Sequence, residues 1–134
     1  MYPILLLSSG WGLLFLRIVF GAIMMAHGFP KLKHLKETGA NFSGMGFRPG
    51  PFWGILVAFL ESFGGIALIL GIATVPLAGL FVVEFLTIVI WKLAKHGAFV
   101  SGWEFDLLLL AAAGVLLFSG AGAISLGYFL PGRF

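Results

Sequence analysis

Apolar residues run through this chain in four blocks, each closed by a polar or turn-forming stretch. Each block is about twenty residues long, the length an α-helix needs to cross about 30 Å of hydrocarbon. The pattern predicts helices over Trp11–Phe29, Phe52–Leu70, Val75–Ala94 and Trp103–Ala121. The first is expected to stop before Pro30 and the second near Gly71. Thr74 is a suitable N-cap for the third, with Pro76 in its first turn. The fourth is expected to fray into Gly120-Ala121-Gly122. Trp11, Trp53, Trp91 and Trp103 all fall near predicted ends, where an indole ring meets lipid and its N–H meets water.

The connections differ in kind. In the long segment Pro30–Pro51, the stretch Lys31–Glu37 is suited to a short helix lying at the interface. The stretch Gly44–Pro51 reads as a turn-rich loop. Gly71–Thr74 is a tight turn, and a short loop runs from Lys95-His96-Gly97 to Gly102. The tail Ile124–Phe134 is apolar with one charge and is expected to lie against the membrane. No boundary or repeat divides the chain. The expectation is one all-α integral membrane domain over residues 1–134, a four-helix transmembrane bundle with a short interfacial segment between helices one and two.

Composition supports this. The chain is 60% hydrophobic and 10% charged, with a mean hydropathy of +1.12. Soluble domains carry about 25% charged residues, so a soluble globular enzyme is excluded, and so is a disordered segment. Membrane lipids are the first expected partner. With no cysteine, disulfides, dithiol chemistry, cysteine-bound zinc, iron–sulfur clusters and covalently attached haem are excluded. Met1–Gly10 lacks the positive region of a secretory leader, so no cleavable signal is expected. The net charge of +3 reads as an orientation signal rather than a nucleic-acid footprint. Lys31, Lys33, Lys36, Arg48, Lys92 and Lys95 fall in or beside the first and third connections, and the other side has Arg133. The positive-inside rule then places those loops in the cytoplasm and both termini outside.

In so apolar a chain, ionisable residues within the spans stand out. Arg17, Glu61 and Glu84 each fall near the centre of a predicted helix. A bare charge at that depth costs about 2.5–3.5 kcal/mol, so the three are expected to face inward and meet. Arg17 is expected to pair with Glu61, which lies beside the small residues Gly64-Gly65 where helices approach closely. Gly21, Ala22 and Ala26 give helix one a similar face. Desolvation and mutual repulsion disfavour two charged carboxylates, so one of Glu61 and Glu84 is expected to hold its proton. Glu84 would be that partner, or would face a neighbouring subunit. Such a trio suits a proton-coupled site, or equally a structural clasp.

A second set, His27, Lys31, Glu104 and Asp106, lies at the loop-side ends of the helices. Lys92 and His96 are four apart at the end of helix three. His27 and Lys31 share a face only if helix one runs past Pro30. The expectation is a shared pocket in which His27 or Lys31 reaches Glu104 or Asp106. The simpler alternative is snorkelling lysines and acidic groups matched to a helix dipole. His27 and His96 lie on one side, as ligands of a b-type haem would. Three histidines with many edge positions often give such a pair, and haem is not expected. No nucleotide-binding, zinc-protease or nucleophile-elbow motif is present, and neither a catalytic group nor a metal site is assigned.

Several of these residues form motifs. Arg17, Gly21, His27-Gly28 and Lys31 resemble the opening motif of the DoxX family. Glu61-Ser62-Phe63-Gly64-Gly65 followed by Leu70-Gly71-Ile72-Ala73-Thr74 resembles its second-helix signature, and Gly102-Trp103-Glu104-Phe105-Asp106-Leu107-Leu108-Leu109-Leu110 the start of its fourth helix. The resemblance covers Leu13–Phe118; Glu84 belongs to no motif of it. It implies a small four-helix protein of a prokaryotic cell membrane, in a respiratory, quinone-linked oxidoreductase setting, with His27, Lys31, Glu61 and Glu104 as motif positions. The expected function is an integral subunit of such a complex. His27 or Lys31 would donate to a quinone headgroup, Glu104 or Asp106 would exchange its proton, and a metal- or flavin-bearing partner would carry the electrons. The alternatives are a structural accessory subunit without chemistry of its own and a carrier for a small apolar molecule. Partner subunits or a homo-oligomer are expected.

Overall fold

The structure, a computed structural model, describes residues 2–129, with side chains from Ser9 to Tyr128. Five α-helices follow one another: α1 Tyr2–Lys33, α2 Leu35–Gly44, α3 Gly50–Leu70, α4 Thr74–Ala94 and α5 Glu104–Ser119. Among the described residues four segments are long and apolar enough to cross a membrane: Ser9–Lys33, Gly50–Leu70, Thr74–Ala94 and Phe99–Ser119. The fold is the expected all-helical bundle of a multi-pass membrane protein.

Helix ends depart from the expectation in informative ways. α1 starts well before Trp11 and runs through Pro30 to Lys33. Pro30 gives no N–H to the carbonyl one turn back, a loss that a helix tolerates near its end. The break comes instead at His34, whose φ of −133° and ψ of 55° are not helical. The short helix of the first connection therefore lies at Leu35–Gly44, later than Lys31–Glu37, and only Met45–Pro49 remains a loop. Thr74 is the first residue of α4 rather than its cap; Ala73 holds the cap position at φ 51°, and no side chain caps the end. α5 is preceded by a wide turn, Phe99–Trp103, closed by Trp103 N–H to the Ala98 carbonyl at 3.1 Å. Arg133 and most of the tail fall outside the described residues.

α1 and α2 act as one bent rod lying antiparallel to α3. Along it Gly21 meets Gly65, Gly28 meets Ser62, Lys31 meets Glu61 and Gly39 meets Pro51, so partner numbers fall as the rod advances. Glycines set this closeness. A β-carbon on Gly28 would lie 2.5 Å from the Ser62 nitrogen, and one on Gly21 would lie 2.5 Å from the Gly65 oxygen. In lipid, where no hydrophobic force drives helices together, such contact supplies the packing energy. α4 and α5 form the second hairpin. Phe20, Phe81 and Phe85 join it to the first through edge-on and stacked rings 5.3–6.4 Å apart. Met24, Leu68, Ala78, Leu109, Ala113 and Leu116 complete the core. Phe15, Val83, Leu108 and Phe118 point outward, which suits a surface whose solvent is lipid rather than water.

The first and third connections share one end of the bundle, as expected. Trp91 near the end of α4 donates its indole N–H to the Met45 carbonyl at 2.9 Å. At the opposite end, Ala121–Phe129 folds back over the α3–α4 turn. Leu126 N–H donates to the Leu70 carbonyl and Gly127 N–H to the Gly71 carbonyl, each at 3.0 Å.

Candidate functional site

Because α1 continues past Pro30, Lys31 stays on the face that meets α3. Its amine lies 2.9 Å from both carboxylate oxygens of Glu61. The Glu61 side chain is 4% exposed and that of Lys31 is 30% exposed, so the pair is shut on one side and open on the other. Glu84 brings the carboxyl of a third helix against that of Glu61. Both Glu84 oxygens are buried and receive no hydrogen from any other described group. The Ser62 hydroxyl, next to Glu61, is also buried and without a partner. Three helices thus contribute one cation and two carboxyls to one interior cluster. Glu61 and Glu84 are near the midpoints of α3 and α4, so the helical hairpin with its short turn brings them level.

Lys92 and Asp106 form a second ion pair at 2.5 Å, with side-chain exposures of 35% and 12%. It joins α4 to α5 nearer the loop end, eight residues and about 12 Å beyond Glu84 along α4.

The expected groupings are rearranged. Arg17 does not pair with Glu61. Its guanidinium is fully buried and donates to the Ile124 carbonyl at 2.5 Å, while its Nη1 packs against Gly71. Gly71 is ten residues from Glu61, about 15 Å along a helix, so Arg17 stands apart from the Glu61–Glu84 cluster. The expected contact of His27 or Lys31 with Glu104 or Asp106 is also replaced. Lys31 is taken by Glu61 and Asp106 by Lys92. Glu104 accepts from the Ser101 N–H at 3.0 Å, steadying the turn before α5. His27 is exposed, with its ring 6.4 Å from that of Phe105. His96 is exposed in the loop after α4, at a φ of 57°.

Lys92 was visible in the sequence as an orientation charge and as half of an i, i+4 pair with His96, with nothing to link it to Asp106. The Ile124 carbonyl carried no side-chain signal that could have found it. An open groove lies at the α1–α2 bend, lined by Lys33, His34, Leu35, Lys36, Glu37 and Ala40. It is a surface feature at the ends of two helices and does not reach the buried cluster. Among the described residues no group of three His, Cys, Asp or Glu is arranged to hold a metal.

Comparison with known proteins agrees with this architecture. A protein of Bacillus subtilis (strain 168) named "Putative oxidoreductase CatD" is 29% identical over 119 residues, covering 89% of this chain and 87% of that one. No solved structure matches. The DoxX family model matches residues 12–96, a stretch that holds Arg17, Lys31, Glu61 and Glu84 together with the glycines that fit α1 to α3. This chain belongs to the DoxX family.

Proposed function

We propose that this protein is the membrane subunit of a quinone-linked oxidoreductase and that the Lys31–Glu61–Glu84 cluster exchanges protons with a quinone headgroup. The observation that carries this reading is the charge count at the cluster: one ammonium against two carboxyls brought into contact inside the bundle. Two facing carboxylates repel strongly away from water, and a proton held between Glu61 and Glu84 removes that repulsion. Such a proton is stored rather than solvated, and a reaction that takes up protons can draw on it.

The residues fit the chemistry. Lys31, partly exposed, presents N–H donors on the open side, where a carbonyl oxygen can accept. Glu61 holds that amine in place, and Glu84 stands behind as the proton store. A bound quinone supplies two-electron redox chemistry. The chain supplies orientation and protons, and the electrons come from a partner protein carrying a flavin or metal. The family membership and the name of the Bacillus relative support an oxidoreductase setting. The loop charges support an orientation with both termini outside, which reporter fusions at Phe134 test. A cytoplasmic reporter signal would reverse the orientation.

The main test is purification in mild detergent with identification of every copurifying protein and extraction of quinone. The expected result is a redox partner and bound quinone, with Lys31→Met losing quinone while keeping the partner. A partner retained with no quinone would favour the purely structural subunit. A homo-oligomer with neither partner nor quinone would overturn the reading.

A further inference from the structure

We propose that the end of the bundle where α3 turns into α4 binds a small inorganic anion, of the size and charge of chloride, through Arg17. The inference is independent of the quinone reading and concerns the other end of the spans.

The argument is an accounting of donors and charge. A guanidinium stays protonated in proteins and carries five N–H donors. Arg17 is 0% exposed, and Ile124 O is its acceptor, with Nε and Nη1 receiving none. The acidic residues of the chain are all committed or placed elsewhere. Glu61 holds Lys31, Glu84 faces Glu61, Asp106 holds Lys92, Glu104 accepts from Ser101, and Glu37 is exposed on α2. Among the described residues no carboxylate pairs with Arg17, and a buried cation without a counter-charge is among the costliest arrangements a fold can contain.

The neighbouring groups are also donors. Arg17 Nη1 lies against Gly71, which opens the turn into α4. Three residues on, Thr74 is fully buried and its hydroxyl has no partner. It begins a helix that no side chain caps, and an uncapped N-terminus presents free amides and a positive dipole end. The carbonyls of Leu70, Gly71 and Gly122 at this end already accept from Leu126, Gly127 and Ser125. Arg17 Nε and Nη1 and the Thr74 hydroxyl are thus buried donors without acceptors, on and three residues beyond the turn that Arg17 packs against. An anion satisfies both at once; a water molecule would satisfy hydrogen bonds but not charge.

Size selects the ion. The tail is packed across this end, with Ile124 against Gly10 and Gly122 against Leu13. A phospholipid headgroup could enter only by displacing it, whereas a single-atom halide asks the least displacement of any anion.

The test uses the full chain in a non-ionic detergent. Thermal unfolding is followed at fixed ionic strength in sodium gluconate, chloride and bromide, with chlorine NMR line width as a direct measure of binding. The wild type is expected to show a saturable rise in Tm in chloride and bromide over gluconate, with broadening of the chloride signal. Arg17→Gln is expected to lose both. Thr74→Val, which keeps the shape of the side chain, is expected to raise the half-saturating chloride concentration about threefold to tenfold through loss of one hydrogen bond. It also serves where Arg17→Gln does not fold, and an unchanged half-saturation in Thr74→Val would then overturn the site. Equal Tm values in gluconate and chloride for the wild type would overturn the proposal. So would halide dependence that survives Arg17→Gln, or stabilisation by added phosphatidylglycerol with none by halide.

Discussion

Lys31 and Glu61 lie thirty residues apart in sequence, yet the amine sits 2.9 Å from both oxygens of the carboxylate, on helices whose backbones touch through Gly28 and Ser62. Close backbone contact and the ion pair belong to the same stretch of the α1–α3 seam. The glycines bring the helices near enough for a lysine to hold a carboxylate symmetrically.

Lys31→Met is expected to destabilise the protein by about 2–3 kcal/mol, below the range for fully buried pairs because Lys31 retains some exposure. The double variant Lys31→Met, Glu61→Gln is expected to lose less than the two single losses combined, since it leaves no stranded charge. Unfolding of the four species in one detergent measures this coupling. Strict additivity would show that the pair contributes nothing jointly.

Arg17 and Glu61 are expected to behave in the opposite way. They stand about 15 Å apart along the bundle, so the effects of Arg17→Leu and Glu61→Gln should add within about 0.5 kcal/mol. The same unfolding series reports it, and a coupling above about 1 kcal/mol would place the two side chains in one network.

Two glycine substitutions should part company. Gly28→Ala puts a β-carbon 2.5 Å from the Ser62 backbone nitrogen, where neither helix can yield without losing the seam. A loss of about 1–3 kcal/mol is expected. Gly114, inside α5, has nothing within 4 Å of the same position, and Gly114→Ala should gain up to about 1 kcal/mol from helix propensity. Tm in a common detergent decides both signs.

The Lys92–Asp106 pair is the more exposed of the two ion pairs. Lys92→Gln is expected to cost no more than about 1 kcal/mol, and that cost should shrink as salt rises. A larger, salt-independent loss would show that the pair is shielded by something beyond this chain.

The spans were legible in the sequence because lipid imposes both a length and a composition on each helix. Their relative shift was not. Arg17 and Glu61 both fall near helix centres, but α1 overshoots Pro30 and slides along α3, so Lys31 meets the centre of α3 while Arg17 meets its end. Proline signalled a stop that a helix near its terminus can ignore. Arg17, Glu61 and Glu84 were readable as interior polar residues from the scarcity of charge in an apolar chain, and Lys31 and Asp106 as candidates for a pocket at the loop-side ends. Which of them pair was not, because that depends on helix register, and register is set by glycine contacts spread over α1 and α3. The acceptor for Arg17 is a backbone carbonyl, and every residue has one.

The bond from Arg17 to the Ile124 carbonyl spans 107 residues, which bears on the order in which the protein can be completed. A chain emerging from the ribosome delivers its arginine to the bilayer long before residue 124 exists. Until then that helix carries a charge with no acceptor from the chain's far end, and it can shelter only by tilting, snorkelling or borrowing a partner from the insertion machinery. Assembly therefore cannot close from the N-terminus forward. A segment made 107 residues later quiets the helix that carries Arg17, and a chain interrupted before Ile124 would present quality-control proteases with an open, cationic bundle.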